Sequence, residues 1–428
     1  MKLKILTYCS FAILLLSLSC SNDADDEIKD EPKYETFDGS LGKVEYFHRS
    51  KVQDAYILVN NAQTNKAILM DKNAELVHDF PLNDKRIGND VFLMDDGQIL
   101  ANLESEDPKI EIGGFGGILQ ILDHNGTVNW NFEYSSDDYI LHHDAEMLPN
   151  GNILAQVWER KTAEEAQNLG YKLDIDVFPD AIIEINPSNN EIVWEWHAWD
   201  HLIQNVDDTK ENYGIISDNP QKININYVSN EAGDIMHGNG IAYDPVKDVI
   251  FLSINFYSEI WVIDHSTTSA QASSSTGGNY GKGGDLIYRF GNPSAYDNPS
   301  GERLFYNNHY PNLLKGNDLG KILVFSNGGD LNQSTVYELQ LPENYSLQTN
   351  QDNEPKVVWS FTDPELYSPK VSGAVRLPNG NTMITEGDFG IWEVTPEGDV
   401  VWKYSNPGFY WRAYHYDKTS GALKNLNL

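Results

Sequence analysis

The chain has 428 residues, 40% hydrophobic and 11% aromatic, which is enough to bury the core of one large domain or two ordinary ones. Its 30 Lys and Arg residues against 64 Asp and Glu residues give a formal net charge of −34. A surface of this sign repels nucleic acids and anionic lipids, so we expect no nucleic-acid partner. For the same reason, a site for a small anion must carry its own local positive charge.

The first 19 residues have the features of a bacterial targeting segment. Lys2 and Lys4 precede an apolar run that is too short to span a bilayer comfortably. The run ends at Leu16–Cys20, which resembles a lipoprotein cleavage site. We therefore expect residues 1–19 to be a signal peptide and Cys20 to be lipidated. The alternative is an ordinary signal peptide in which Cys20 is incidental.

This interpretation predicts an extracytoplasmic lipoprotein of the outer membrane, on its periplasmic or cell-surface face, that meets the membrane by its lipid anchor only. Cleavage removes Cys9, so the mature chain has one cysteine and no disulfide framework. Residues 20–45 are rich in acidic side chains and are expected to form a tether. Residues 46–428 are expected to form one domain.

Residues 46–428 contain a repeated unit of short strands. The clearest part of the unit is strand, turn, strand with an aromatic ring near its end, as in Val193-Trp194-Glu195-Trp196. Six copies place a ring at one position: His78, Trp130, Trp194, Tyr288, Trp359 and Trp402. Four short antiparallel strands per unit predict an all-β fold, a six-bladed β-propeller with the rings packed between blades. A sandwich or a β-helix is the alternative, although the uneven unit spacing argues against a regular β-helix.

Helical and inserted segments are few. Only residues 163–169 carry a helical pattern. Insertions at 197–234, 266–284 and 291–308 cluster around the fourth unit. Because long loops in a compact fold are usually functional or disordered, we expect a lid or rim over one face of the propeller.

Three consecutive units carry a histidine at one register. A Pro-Asn-Gly turn, a strong hairpin signal because Asn and Gly tolerate positive φ, follows Leu148. Counting back five residues from Leu148 and its equivalents gives the following set: His143, His237 and His309, with Asn89 and Ser372 in the second and sixth units. The first strand of each blade lines the channel, so these side chains should converge at one end of it.

Converging imidazoles suit the transfer of an anionic group. A neutral imidazole is a nucleophile, and its ordinary pKa of about 6.5 leaves it mostly neutral at pH 7. A protonated neighbour stabilises an anionic transition state or protonates a leaving group. Sulfuryl or phosphoryl transfer therefore fits the pattern. Two alternatives remain open: histidines that line the channel and are bridged by water, and a three-histidine metal site.

Several segments resemble the bacterial arylsulfate sulfotransferases. They run over most of the chain, from about residue 55 to 416, and the most specific is Ser258–Pro293. The others are His142-His143-Asp144, His237-Gly238-Asn239, Glu386–Gly390 and Trp411–Tyr414. The resemblance implies a six-bladed propeller that moves a sulfuryl group from an aryl sulfate to a phenolic acceptor. The transfer would be ping-pong through a sulfohistidine, with neither a nucleotide donor nor a metal or other cofactor.

The resemblance also implies roles for residues. By position, His309 is the nucleophile, and His143 and His237 bind sulfuryl oxygens or shuttle protons. The implied substrate-binding residues are Asn89, His142, Asn239, Asn255 and Arg376.

One position departs from the family pattern. Asn255 stands where the family has a catalytic arginine, and an amide carries no charge. The candidates to replace that charge are Arg289, Arg376 and Arg160. Two other functions stay open from the residues: a non-catalytic propeller that binds a sulfated or other anionic ligand, and a metal-dependent hydrolase that uses the three histidines.

Overall fold

Residues 34–426 and 428, which a computed structural model describes, form a six-bladed β-propeller of antiparallel four-stranded sheets. The predicted fold class is therefore confirmed. The proposed signal peptide and Cys20 lie outside the described residues, so lipidation and location stay predictions. Within the described part of the chain, no helix is long and apolar enough to cross a membrane.

The described part of the chain starts with a hairpin, which is followed by three strands of the first blade. The hairpin strands are β1 (Glu35–Gly39) and β2 (Gly42–Phe47); the blade strands are β3 (Tyr56–Asn61), β4 (Lys66–Met70) and β5 (Leu76–Phe80). Blade 2 is β6 (Ile87–Leu93), β7 (Ile99–Glu104), β8 (Gly117–Leu122) and β9 (Val128–Glu133).

Blade 3 contains one of the two α-helices found among the described residues. It is built of β10 (Tyr139–Met147), β11 (Ile153–Glu159), α1 (Ala163–Asn168), β12 (Asp180–Asn186) and β13 (Glu191–His197). The helix confirms the predicted helical pattern at 163–169, and a capping box between Thr162 and Glu165 starts it. A short parallel pair follows, β14 (Leu202–Ile203) with β15 (Ile223–Asn224).

The remaining blades follow in chain order. Blade 4 is β16 (Gly238–Asp244), β17 (Val249–Ile254), β18 (Glu259–Asp264), α2 (Ser269–Ala272) and β19 (Tyr288–Phe290). Blade 5 is β20 (Asn308–Leu313), β21 (Lys321–Ser326), β22 (Thr335–Gln340) and β23 (Lys356–Phe361). Blade 6 is β24 (Gly373–Arg376), β25 (Thr382–Glu386), β26 (Gly390–Val394) and β27 (Val400–Ser405). Short 3-10 turns lie at Ala198–His201, Ile216–Asp218, Pro293–Tyr296, Gly316–Asp318 and Gly421–Leu426.

Both ends of the domain close the ring. The last strand, β28 (Tyr410–Tyr416), pairs with β3 and becomes the innermost strand of blade 1. The hairpin pairs through β2 with β27 and widens blade 6 to six strands. The predicted boundary at 45/46 is thus wrong, because residues 35–45 belong to the propeller. Val44 and Phe47 are buried against Trp402, so apolar burial outweighs the acidic composition of the preceding residues.

The six repeated rings join each blade to the next. Each ring directs its polar atom at the connection between the third and fourth strands of the following blade. The pairs are His78 Nε2 with His124 O (3.1 Å), Trp130 Nε1 with Asn190 Oδ1 (2.7 Å), Trp194 Nε1 with Thr267 Oγ1 (3.1 Å), Tyr288 Oη with Asn353 O, Trp359 Nε1 with Pro396 O (2.9 Å) and Trp402 Nε1 with Lys72 O (2.9 Å). The predicted packing role of these rings is confirmed, because each ring links its own blade to the next one.

The insertions around blade 4 pack on one another. His201 of the first insertion lies 2.8 Å from Ala272 O of the second, and Asn292 of the third donates to Tyr227 Oη of the first at 2.7 Å. These links hold all three insertions in one ordered rim. Its residues do not line the cavity that holds His143, His237 and His309. Asp234, at the end of the first insertion, contacts His237 of that cavity.

A buried ion pair spans the ring closure and gives a stability prediction. Lys72 of blade 1 meets Glu393 of blade 6 at 2.6 Å, and Lys72 Nζ lies 4.0 Å from the centre of the Trp402 ring. Glu393→Ala leaves the buried ammonium unpaired, so we expect a loss of about 3–5 kcal/mol in the free energy of unfolding. Urea denaturation measures it. The exposed pair Lys109–Asp107 supplies the control, since Lys109→Ala should cost less than about 1 kcal/mol. Equal losses in both variants would contradict the assignment.

Candidate functional site

The innermost strands break register at one level of the channel. Pairing shifts occur in β6, β10, β16, β20 and β28, between the first and second strands of five blades. His143, His237 and Tyr310 have positive φ there, at 49°, 58° and 54°. Positive φ is uncommon in residues other than glycine, and bulges of this kind redirect side chains beside active sites. At the level of the histidines, the backbone of the innermost strands therefore departs from regular β geometry.

The three register histidines line one cavity of about 660 Å³. The ring centres of His143 and His237 are 4.8 Å apart, with the rings nearly perpendicular. His309 lines the same cavity. Aromatic side chains form much of the remaining wall: Phe115, Phe256, Phe409 and Trp411. The cavity thus combines imidazoles with flat apolar surfaces, which suits an aryl compound that carries a polar group.

His309 is held in one neutral form. Its Nδ1 lies 2.6 Å from Asn327 Oδ1. The Asn327 amide group donates to the carbonyls of Ser368 and Val371 at 2.9 and 3.0 Å, so its oxygen must face His309. Nδ1 of His309 therefore carries the proton, and Nε2 keeps a lone pair. Burial lowers the pKa of His309 to about 3, and the charges of His237 and Arg412 add to the effect.

A carboxylate favours the charged form of His237. Its Nδ1 lies 2.5 Å from Asp234 Oδ2. Burial acts to lower the pKa of His237, but the charge and hydrogen bond of Asp234, with the charge of Asp180, outweigh it and the pKa is raised. The raised pKa favours an imidazolium here, which is the local positive charge that an acidic chain needs to bind an anion.

His143 is neutral and rests on a second histidine. Its Nδ1 lies 3.0 Å from Nδ1 of His142. Burial and then the charges of His237, His142, His309 and Arg412 lower its pKa well below the ordinary value. For all three register histidines, Nδ1 has a partner, and Nε2 makes no hydrogen bond within residues 34–426 and 428.

Of the five predicted substrate-binding residues, only Asn255 lines the cavity. It accepts from Asn307 at 2.9 Å and donates to Asn308 O at 3.3 Å. Asn89 instead donates to Gly114 O at 2.5 Å, and Asn239 to Asn308 O at 2.7 Å. The prediction that Asn89 and Asn239 bind substrate is corrected, because each amide group fixes a backbone carbonyl.

His142 and Ser372 are also turned away from the cavity. His142 is fully buried and stacks on Trp158 with ring centres 3.9 Å apart, so the prediction that it binds substrate is wrong too. Ser372 accepts from Gly387 N at 3.0 Å and lies outside the cavity lining. The ring of five polar residues predicted from the register is therefore a cluster of three histidines.

None of the proposed replacement arginines lines the cavity. Arg289 pairs with the buried Glu259, Arg160 pairs with Asp176, and Arg376 pairs with Glu338. The assignment of Arg376 to substrate binding is wrong, because a carboxylate already holds its guanidinium.

Arg412 of β28 is a buried cation whose charge acts on both His143 and His309. It pairs with Asp144 at 2.8 Å and donates to Asn239 O at 3.2 Å. It lines a second cavity of about 340 Å³ on the same axis. Its position depends on the pairing of β28 with β3, which no local pattern shows. Asp234 and Asn327 are likewise absent from the prediction.

The cavity mouth carries charges of both signs. Arg86 and Lys370 line it together with Glu104 and Glu111. Arg86 pairs with Glu104 at 3.1 Å, and Lys370 Nζ lies 4.8 Å from the centre of the Phe409 ring. Within the described residues, no group of three or more His, Cys, Asp or Glu side chains could hold a metal ion.

Solved structures show likeness in fold. The chain is similar to a protein of unknown function from Bacteroides caccae, at 16% identity and a TM-score of 0.48, with 84% of this chain and 98% of that chain covered. A putative 6-phosphogluconolactonase from Bacteroides fragilis NCTC 9343 is similar at 11% identity and a TM-score of 0.41, with 85% and 98% covered. BamB from Moraxella catarrhalis is similar at 10% identity and a TM-score of 0.36, with 90% and 93% covered. Likeness at this level carries no information on activity.

Among curated proteins, no sequence matches the chain. A family model does match it: the model described as Arylsulfotransferase (ASST) covers residues 43–413.

Proposed function

Since the chain belongs to the arylsulfotransferase family, we propose that it moves a sulfuryl group from an aryl sulfate to a phenolic acceptor through a sulfohistidine at His309. The observation that carries the proposal is the set of three imidazoles in one cavity, each with a different partner on Nδ1. The partners produce a neutral nucleophile, a fixed cation and a neutral base. Sulfuryl transfer needs all three functions.

In the first step, His309 Nε2 attacks the sulfur of the aryl sulfate. The N–S bond forms, the S–O bond to the aryl group breaks, and a phenolate leaves with the bonding electron pair. Because the pKa of His309 is about 3, its lone pair is available throughout the neutral range. The protonated Nε2 of His237 donates to a sulfuryl oxygen, where negative charge develops.

In the second step, the oxygen of a phenolic acceptor attacks the sulfur of the sulfohistidine. The O–S bond forms, the N–S bond breaks, and His309 regains its lone pair. The phenolic proton passes to His143 Nε2 and from there to solvent or to the next leaving phenolate. The aromatic walls at Phe256, Phe409 and Trp411 can hold either aryl group in turn.

Asn255 leaves the transition state with less charge than an arginine would supply. Arg86 and Lys370 also line the cavity, but they lie at its mouth. His237 is therefore the innermost side chain in the described lining that can carry a positive charge. We therefore propose that His237 and Asp234 together replace the charge of the family arginine. If so, the reaction rate should fall as the pH rises through the raised pKa of His237.

The test is incubation of the purified mature chain with a chromogenic aryl sulfate alone. We expect a burst of about one phenolate per chain and an intact mass increased by one sulfuryl group, which phenol then removes. Sustained release should require the phenol. Donor binding without phenolate release under any acceptor would refute the transferase and leave a non-catalytic binding propeller. Release that needs added metal and no acceptor would instead support a hydrolase.

A further inference from the structure

We infer that His142 and Asp180 form a buried relay behind His143, which fixes His143 as the base that deprotonates the phenolic acceptor. The inference rests on the proposed function and assigns positioning roles to both residues. His142 and Asp180 touch neither substrate nor the reacting atoms, since neither lines the cavity.

The relay runs from the cavity into the interior of blade 3. His143 Nδ1 lies 3.0 Å from His142 Nδ1, and His142 Nε2 lies 3.2 Å from Asp180 Oδ1. The His142 and Asp180 side chains are both completely buried. Stacking on Trp158 fixes the plane of the His142 ring.

The order of protons follows from the carboxylate at the end of the relay. His142 Nε2 makes no hydrogen bond within the described residues, but it lies 3.2 Å from Asp180 Oδ1. A nearby carboxylate favours the proton on Nε2, which leaves His142 Nδ1 as an acceptor. His143 Nδ1 must then donate to it. The lone pair of His143 is thereby placed on Nε2, the nitrogen left for the cavity.

The same carboxylate holds the neighbouring histidine strand. Both oxygens of Asp180 accept from Gly238 N, at 3.1 and 3.0 Å, and Gly238 directly follows His237. A Cβ at position 238 would lie 2.2 Å from Asp180 Oδ1, so this approach requires glycine. Asp180 therefore anchors the backbone beside one catalytic imidazole and orients the other. These two contacts distinguish Asp180 from a buried carboxylate that only completes hydrogen bonds in the core.

The relay accounts for how a ring of low pKa can act as a base. A bound sulfuryl group brings negative charge to the cavity and raises the pKa of His143 again. When His143 Nε2 takes the acceptor proton, the ring becomes positive. His142 stabilises it through Nδ1, and Asp180 stabilises the spread charge. The phenolic O–H bond breaks, the N–H bond forms, and the electron pair of the O–H bond forms the new O–S bond.

The experiment separates the two half-reactions in Asp180→Asn. We expect transfer to phenol to slow by roughly 10²-fold and by more than sulfohistidine formation, which also slows because the charge of Asp180 helps to raise the pKa of His237. The defect should shrink as the acceptor becomes more acidic, because a phenol that is already ionised needs no base. A merely structural defect would slow every acceptor equally. His142→Gln should show the same dependence on acceptor acidity and serves as the second variant if Asp180→Asn fails to fold.

Controls keep failure of this inference apart from failure of the proposed function. Asp248→Asn removes a carboxylate from another imidazole, His265, outside the cavity, and should leave both half-reactions unchanged. If the unsubstituted chain forms no sulfohistidine, the proposed function fails. If it does, and both relay variants slow all acceptors equally or not at all, the relay is refuted.

Discussion

His309→Ala is expected to abolish the sulfohistidine and to lower phenol-dependent turnover by about 10³-fold or more. We expect neither neighbouring imidazole to replace it, because the pKa of His237 is raised and His143 is assigned to the proton of the acceptor. Intact mass after incubation with donor alone measures the covalent step, and phenolate absorbance measures turnover. Residual release would reflect binding and the charge of His237.

Two further measurements make the nucleophile assignment sharp. Added imidazole should restore part of the turnover of His309→Ala, because the truncated side chain leaves room for a free ring. His124→Ala is the matched control, since His124 lies in a surface turn of blade 2 and its ring contacts His78, far from the cavity lining. A sulfuryl adduct that persists in His309→Ala would assign the nucleophile to another residue.

Asp234→Asn is expected to slow donor cleavage by roughly 10²-fold at neutral pH. Without the carboxylate, burial lowers the pKa of His237, and the cation at the sulfuryl group is lost. The pH profile of the unsubstituted chain should be flat on the acid side down towards the pKa of His309, about 3, and should fall as pH rises through the raised pKa of His237. In the variant the alkaline limb should move to lower pH.

The His237–Asp234 pair also links folding to pH. Because the pKa of His237 is raised on folding, its contribution to stability is fully present below the unfolded value of about 6.5 and is lost as pH rises through the folded value.

The double variant Asp234→Asn/His237→Gln should be no slower than His237→Gln alone, because both changes remove one function. Additive losses would show that Asp234 acts separately from His237.

Local patterns in the sequence predicted most of the fold. Short strands and Asn-Gly turns mark the blades, because strand periodicity and turn chemistry depend on neighbouring residues. The repeated ring at positions such as Trp130 and Trp402 predicted the contact between blades, since each blade must cover the same face of the next. The register of His143, His237 and His309 followed from the repeat as well.

The predictions from sequence were wrong where side chains or strands take partners that are distant in the chain. Arg376 and Asn89 had the right register or charge for the site, but Glu338 and Gly114 O hold them elsewhere. The hairpin at 35–47 had acidic neighbours, yet pairing with β27 incorporates it in blade 6. Such partners are separated by tens to hundreds of residues, and no local pattern indicates them.

The sequence by itself determined a propeller of six repeats and three histidines at one level of its channel, because both follow from periodicity. Only the tertiary structure decided what each imidazole can do. Asn327, Asp234 and His142 reach Nδ1 of the three rings, and ring closure by β28 places Arg412 on the axis. The protonation of an imidazole depends on burial and on the atom that its other nitrogen meets, and folding alone brings those atoms together.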